Sequence, residues 1–173
     1  INNQVPSVKK VAPQISANEI VQSNSKSLNI SIAGVTPEFL KVRNFEVDIG
    51  RFISESDVNS ARSFVVIGPD IRQEFFRDKA VLGEKIRIKD HTYEIIGMLK
   101  PKGAVFGSNQ DKNAYIPLTT MVNRITGKDP TYGVSLSFIS VEAINKNKTG
   151  AAKFQITNLL RQRHNIIRDD DFA

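Results

Sequence analysis

From Asn44 to Leu99 the apolar residues arrive in short runs, each cut by turn residues before it can become a long helix. That punctuation confines the stretch to short, sheet-rich elements. Ser63 to Ile67 reads as an apolar strand stopped by Gly68-Pro69, after which Ile71, Phe75 and Phe76 repeat at helical spacing to about Asp78. Glu84 to Lys89 and Thr92 to Leu99 form a predicted hairpin around Lys89-Asp90-His91, because Ile86 and Ile88 alternate with charged neighbours. Gly97 interrupts the second strand at the place of a bulge.

The flanks read differently. Leu28, Ile30 and Ile32 alternate with Asn29, Ser31 and Ala33, a strand with one buried face that ends at Gly34. Thr36 is placed to cap a short helix through about Val42, with Pro37 at its first position and Glu38 near its positive end. Val11 to Val21 is a weaker strand that Pro13 confines to an edge or delays. Pro101 to Lys112, with its glycines and polar residues, reads as a long exposed loop. Order resumes at Tyr115-Ile116-Pro117, followed by a helix from Leu118 to Ile125 closed by Gly127 and an amphipathic strand from Val134 to Ala143. The final helix starts at Asn147 or Thr149 and finishes near His164, with Ala152, Ile156, Leu159 and Leu160 on one face.

Composition bounds the function classes. With 173 residues, 40% apolar and 24% charged, the chain is long enough for one core or two closely joined ones. It holds no cysteine, which excludes disulfides and thiolate metal sites, and no apolar run nears the ~20 residues of a membrane-spanning helix. The formal charge of +6 gathers partly between Ala143 and Arg168, where Lys146, Lys148, Lys153, Arg161, Arg163 and Arg168 meet no acidic residue. Phe154 is the one aromatic there, so the interleaved stacking pattern of a single-strand binder is missing and a solvated or partner-facing helix is the reading.

Reactive constellations do not emerge. His91 in a predicted turn and His164 at a helix end have no partner at metal-ligand spacing and read as surface histidines. There is no Gly-x-Ser-x-Gly elbow, no phosphate loop and no dinucleotide fingerprint. Asp169-Asp170-Asp171 lacks the glycine turn and distant glutamate of a calcium loop. No catalytic, metal-binding or cofactor-binding residue is assigned. Arg51 is expected to pair with a carboxylate and Phe52 to fill a core, both structural roles.

Five fragments occur in order: Gly34-Val-Thr-Pro-Glu-Phe-Leu, Gly50-Arg-Phe-Ile-Ser-Glu, Phe64-Val-Val-Ile-Gly-Pro, Leu82-Gly-Glu-Lys-Ile-Arg-Ile and Tyr93-Glu-Ile-Ile-Gly-Met-Leu. With Lys100-Pro-Lys-Gly, Tyr115-Ile-Pro-Leu-Thr-Thr, Leu159-Leu-Arg-Gln-Arg-His and Asp169-Asp-Asp-Phe downstream, the set resembles the extracytoplasmic, or periplasmic, core domain of MacB-type, FtsX-like ABC transporter permeases. The resemblance runs from about Val8 to Phe172. It implies an α+β fold of two subdomains: a discontinuous porter-like strand-helix layer, residues 1–47 and 113–173, around an inserted β-rich subdomain, residues 48–112.

The same resemblance implies a noncatalytic domain of a longer integral membrane protein, on the extracytoplasmic side, with one transmembrane helix before this segment and three after it. It would need no cofactor of its own and would convey conformational change driven by an ATPase domain or subunit. Implied partners are a second copy of the permease and a membrane-fusion adaptor, not nucleic acid. The candidate contact loop comprises Lys102, Gly103, Phe106, Gly107, Ser108 and Asn109. The alternative is a module that captures an apolar or amphipathic cargo between the subdomains, for which a hydrophobic cleft lined from both would be the sign.

Overall fold

The computed structural model describes residues 4–77, 79–105, 108–131 and 133–164. In chain order the elements are β1 (Val8–Ser23), β2 (Lys26–Val35), α1 (Glu38–Val42), β3 (Val47–Gly50), α2 (Glu55–Asn59), β4 (Phe64–Ile67) and α3 (Pro69–Phe75). There follow β5 (Lys85–Ile88), β6 (His91–Leu99), β7 (Ala104–Val105), β8 (Ser108–Asn109), β9 (Asn113–Pro117), α4 (Leu118–Met121), β10 (Phe138–Ala143) and α5 (Thr149–His164). This mixture of strands and helices is the expected α+β class.

The chain divides into two compact units, residues 12–139 and residues 1–11 with 140–173. In the larger unit the strands run in the order β1-β2-β9-β4-β6-β3, and β5 pairs with both β6 and β1. The pairings from β1 through β2, β9, β4, β6 and β5 therefore return to β1 and close a ring, with β3 on its outer edge at β6. Closure rests on a short ladder, Val21 opposite Ile88 and Gln22 opposite Arg87.

This arrangement differs from the division drawn at residues 47/48 and 112/113. Strand β9 lies parallel to β2 and antiparallel to β4, so strands from both sides of those boundaries interleave in one sheet. Hydrogen bonding across the proposed seam is the physical reason that the 48–112 stretch does not stand apart.

At its centre, in β4 and β9, the sheet is buried on both faces. Val65 and Ile67 of β4 enter one core with Ile30, Ile32, Ile86, Ile88, Tyr93, Ile95 and Ile116, whereas Val66 enters a second with Val35, Phe39, Leu99 and Tyr115. A strand with two apolar surroundings has no polar face to show, which explains the unbroken apolar run Phe64–Ile67. Helix α3 and Met121 cover the first core; Phe39 of α1 and Val58 of α2 cover the second.

Local chemistry sets the turns. Asn24 and Ser25 both have positive φ, 49° and 62°, as a two-residue hairpin between Ser23 and Lys26 requires. The predicted β5–β6 hairpin forms with Ile88 opposite His91. The β4–β6 register jumps from Val65–Ile95 to Val66–Gly97, placing the extra residue at Ile96, beside the predicted bulge position. Leu118 begins a helix as expected, but it passes into a π-helical turn over Val122–Thr126 before Gly127, φ +78°, stops it.

Three expectations change. Helix α1 is entered from Pro37, already in helical geometry, and the Thr36 side chain makes no cap. Regular strand begins at Phe138 rather than Val134, because the preceding backbone pairs only at Ser137, whose N–H donates to Gln14 O at 2.9 Å. The Pro101–Lys112 stretch is not without regular structure: β7 and β8 pair, and a 3-10 turn follows over Gln110–Lys112.

The smaller unit packs α5 through Ala152, Ile156 and Leu159 against Val5, Val8, Val141 and Ala143. Lys9 pairs with Glu142 at 2.8 Å, and Arg163 donates to Gln4 Oε1 at 2.7 Å, which places the two ends of the described chain side by side.

Candidate functional site

The 102–109 segment is built around one carboxylate that its own composition does not reveal. Asp111 accepts the Lys102 N–H at 2.7 Å and the Gly103 N–H at 2.9 Å, while the Gln110 N–H donates to Gly103 O at 3.0 Å. Gly103 has φ +72° with open space around it, so backbone conformation rather than crowding demands glycine there. Asn109 accepts the Asp111 N–H at 2.9 Å and donates its amide to Asp70 Oδ2 at 3.0 Å. The Asp111 carbonyl in turn lies 2.2 Å from where a Cβ on Gly68 would stand, so this corner is pressed directly on the start of α3.

Lys102 is committed inward. Its ammonium donates to the carbonyls of Arg43 and Asn44, and sits 4.0 Å from the centroid of the Phe45 ring. These carbonyls close α1, where a cation meets the negative end of the helix. Burial, and then the charge of Arg43, push the Lys102 amine below its ordinary value. A cleft of about 200 Å³ lined by Asn44, Phe45, Glu46, Lys100, Pro101 and Lys102 opens beside it. Lys102, Gly103 and Asn109 are thus brought together through Asp111. Ser108 pairs with Val105 through the backbone, and Phe106 and Gly107 lie outside the described residues. The residues that sequence reasoning missed are Asp111 and Asp70; only the Asn109-x-Asp111 spacing, an Asx turn, was readable locally.

Arg51 and Phe52 take the structural roles expected of them. The Arg51 guanidinium grips Asp57 at 2.5 and 3.2 Å, and Asp57 with Ser54 forms a capping box at the start of α2. Burial pushes the Asp57 carboxyl up, but hydrogen bonds from Arg51 and from Ser54 outweigh it and hold the group at about 2. Phe52 stacks on Phe39 at 6.4 Å, in a cluster with Phe45 and Tyr115. The Arg51 carbonyl lies 2.2 Å from where a Cβ on Gly97 would stand, and the Arg51 N–H donates to Ile96 O at 3.0 Å. The bulge in β6 and the Gly50-Arg51-Phe52 fragment are therefore two halves of one fit.

His91 opens β6, and the Asp169–Asp171 run lies outside the described residues. Among the described residues no group of three or more His, Cys, Asp or Glu side chains is placed to hold a metal, and no helix is long and apolar enough to cross a membrane. What the geometry offers is a braced, hydrogen-bonded framework with surface clefts.

The family described as MacB-like periplasmic core domain matches residues 1–159. The chain belongs to this family. Among curated relatives of this MacB-like domain, the macrolide export ATP-binding/permease protein MacB of Shewanella sp. (strain W3-18-1) is 33% identical over 162 residues, 94% of this chain and 24% of that protein. MacB of Vibrio parahaemolyticus is 31% identical over 161 residues, 92% of this chain and 24% of that protein. The chain thus spans about a quarter of the length of the curated relatives it matches. The crystal structure of the periplasmic region of MacB from Actinobacillus actinomycetemcomitans superposes with a TM-score of 0.78 at 23% identity, covering 92% of this chain and 69% of that one. The extracellular domain of the noncanonic ABC-type transporter YknZ from Gram-positive bacteria gives 0.80 at 19% identity, covering 95% and 81%. At these identities the two structures speak for the fold of the MacB-like domain.

Proposed function

We propose that this MacB-like periplasmic core domain is the noncatalytic outer part of an ABC transporter permease, and that it conveys the motion driven by ATP hydrolysis in a separate domain or subunit. The family match over residues 1–159 carries the reading. The interleaved ring supports a transmitting role, because displacement of one strand is passed to its neighbours through hydrogen-bond ladders and two packed cores. A second copy of the permease and an adaptor protein are the expected partners, and the ordered corner at Lys102, Gly103, Ser108 and Asn109 is the expected place of contact.

Cargo capture is the weaker reading. The cleft lined by residues from both sides of the 47/48 boundary, Leu28, Asn29 and Ile30 with Asp70, Ile71, Glu74 and Lys112, has a volume of about 120 Å³. That is room for a few waters, well below the roughly 300 Å³ at which drug-sized pockets begin. The larger cavity of about 440 Å³ that joins residues 60–94 to Arg124 is walled mainly by charged and hydroxyl side chains rather than by the apolar ones such a cargo needs. The test uses the full-length transporter reconstituted with its partners. Asn29→Trp, which plugs this cleft from an exposed position, is expected to leave transport and ATP hydrolysis unchanged, and loss of transport would favour capture. Ser108→Asp is expected to lower transport while ATP hydrolysis continues; normal transport would remove the proposed contact. Asn109 is avoided because its amide is bonded to Asp70.

A further inference from the structure

A cavity of about 440 Å³ lies at the opposite end of α2 from the Arg51–Asp57 pair, and among the side chains at its wall are Ser60, Arg62, Ser63, Lys85, Thr92 and Arg124. The chain reaches it by a defined turn. Helix α2 ends with the Ala61 N–H donating to Val58 O at 3.2 Å and the Arg62 N–H to Asp57 O at 3.0 Å, a helix terminus that requires positive φ at the residue between. Ala61 supplies it at φ +45°. Buried Thr120 then donates its hydroxyl to Arg62 O at 2.8 Å, and Thr119 donates to Val58 O. The Arg62 backbone is pinned from two sides, yet the residue is exposed, and none of the ion pairs among the described residues includes it.

The second arginine comes from the π-helical turn Val122–Thr126, where Arg124 donates to Ser63 Oγ. Single π-helical turns are rare, and they recur where a side chain must be set at a functional site. The one carboxylate in the wall, Glu94, stands directly across the β5–β6 ladder from Lys85. Arg62, Lys85 and Arg124 set against Glu94 leave the wall a net charge of +2, three cations less one carboxylate, with the hydroxyls of Ser60, Ser63 and Thr92 beside them. Two forked guanidinium groups with flanking hydroxyls present more donors than the two oxygens of a carboxylate can accept, and they match a phosphate with its larger set of acceptor oxygens.

We propose that the Arg62–Arg124 cavity is a phosphate-binding site, taking either free phosphate or the phosphate of a lipid headgroup. It is separate from the 102–109 corner and does not depend on the transport role. The test follows amide resonances of the 173-residue chain by two-dimensional NMR at constant ionic strength. One arm adds inorganic phosphate against chloride and acetate controls, and the other adds phosphatidylglycerol vesicles against phosphatidylcholine vesicles. Saturable movement centred on Ser60 to Phe64 is expected, in the first arm if free phosphate is the ligand and in the second alone if it is a headgroup. Arg62→Gln is expected to weaken that binding about tenfold, the loss of a charge-assisted hydrogen bond. Arg124→Gln should do the same if it folds, and Arg62→Gln decides if it does not. No saturable movement in either arm, movement with acetate but not phosphate, or binding unchanged in Arg62→Gln would overturn the assignment.

Discussion

Replacing Asp57 by asparagine tests whether the Gly50-Arg51-Phe52 fragment is braced by charge or by shape. Asp57 is 5% exposed and takes hydrogen bonds from Arg51, from the Ser54 hydroxyl and from the Ser54 N–H. Its carboxyl rests at about 2 against an ordinary 3.8. At about 1.36 kcal/mol per pH unit this difference corresponds to about 2.5 kcal/mol, reduced to about 2 because the half-exposed Arg51 is screened by solvent. A carboxyl whose folded value is depressed contributes its full stability above the unfolded value and loses it as the folded value is approached. Wild-type stability from this group should therefore be complete above about pH 4 and fade toward pH 2. Asp57→Asn keeps the size and one acceptor but removes the charge. Urea unfolding followed by circular dichroism should show the variant about 2 kcal/mol less stable at pH 7. The gap should close as pH falls below about 3. A gap that stays constant from pH 6 to about pH 2.5, or one under about 0.5 kcal/mol at pH 7, would refute the electrostatic account.

Two further substitutions probe the backbone. Ala61→Gly should stabilise the chain by about 1 kcal/mol in urea unfolding, since Ala61 holds a left-handed conformation at the end of α2 that glycine adopts freely; equal or lower stability would argue against strain there. Gly97→Ala should destabilise by about 3 kcal/mol, because its Cβ would meet the Arg51 carbonyl, part of a backbone held to Ile96, rather than a side chain free to move; a thermal midpoint like that of the wild type would show that the two segments separate easily.

Much of this molecule is legible in local pattern. The β5–β6 hairpin, the strand of β2, the Gly127 stop and the start of α5 follow from alternation, turn residues and helical spacing, all of which act within a few residues. The ordered family fragments were legible in the same way. The candidate corner was visible only as composition. Its glycines suggested a structureless loop, whereas Asp111 and the bond from Asn109 to Asp70, 39 residues away, make it an ordered one.

The larger difference lies in how the strands meet. The apolar run of β4 states that both of its faces are buried, but not that β9 lies on one side and β6 on the other. Closure of the ring through Val21 and Ile88 joins residues far apart in the chain, and nothing in either segment alone prefers that partner. Sequence by itself determined the β2 strand, the apolar run of β4, the β5–β6 hairpin, the Gly127 stop and the start of α5, because propensity, periodicity and turn chemistry are local. Tertiary structure alone decided that residues 48–112 share a sheet with their flanks, because ladder partners are chosen by how two buried faces can be satisfied together.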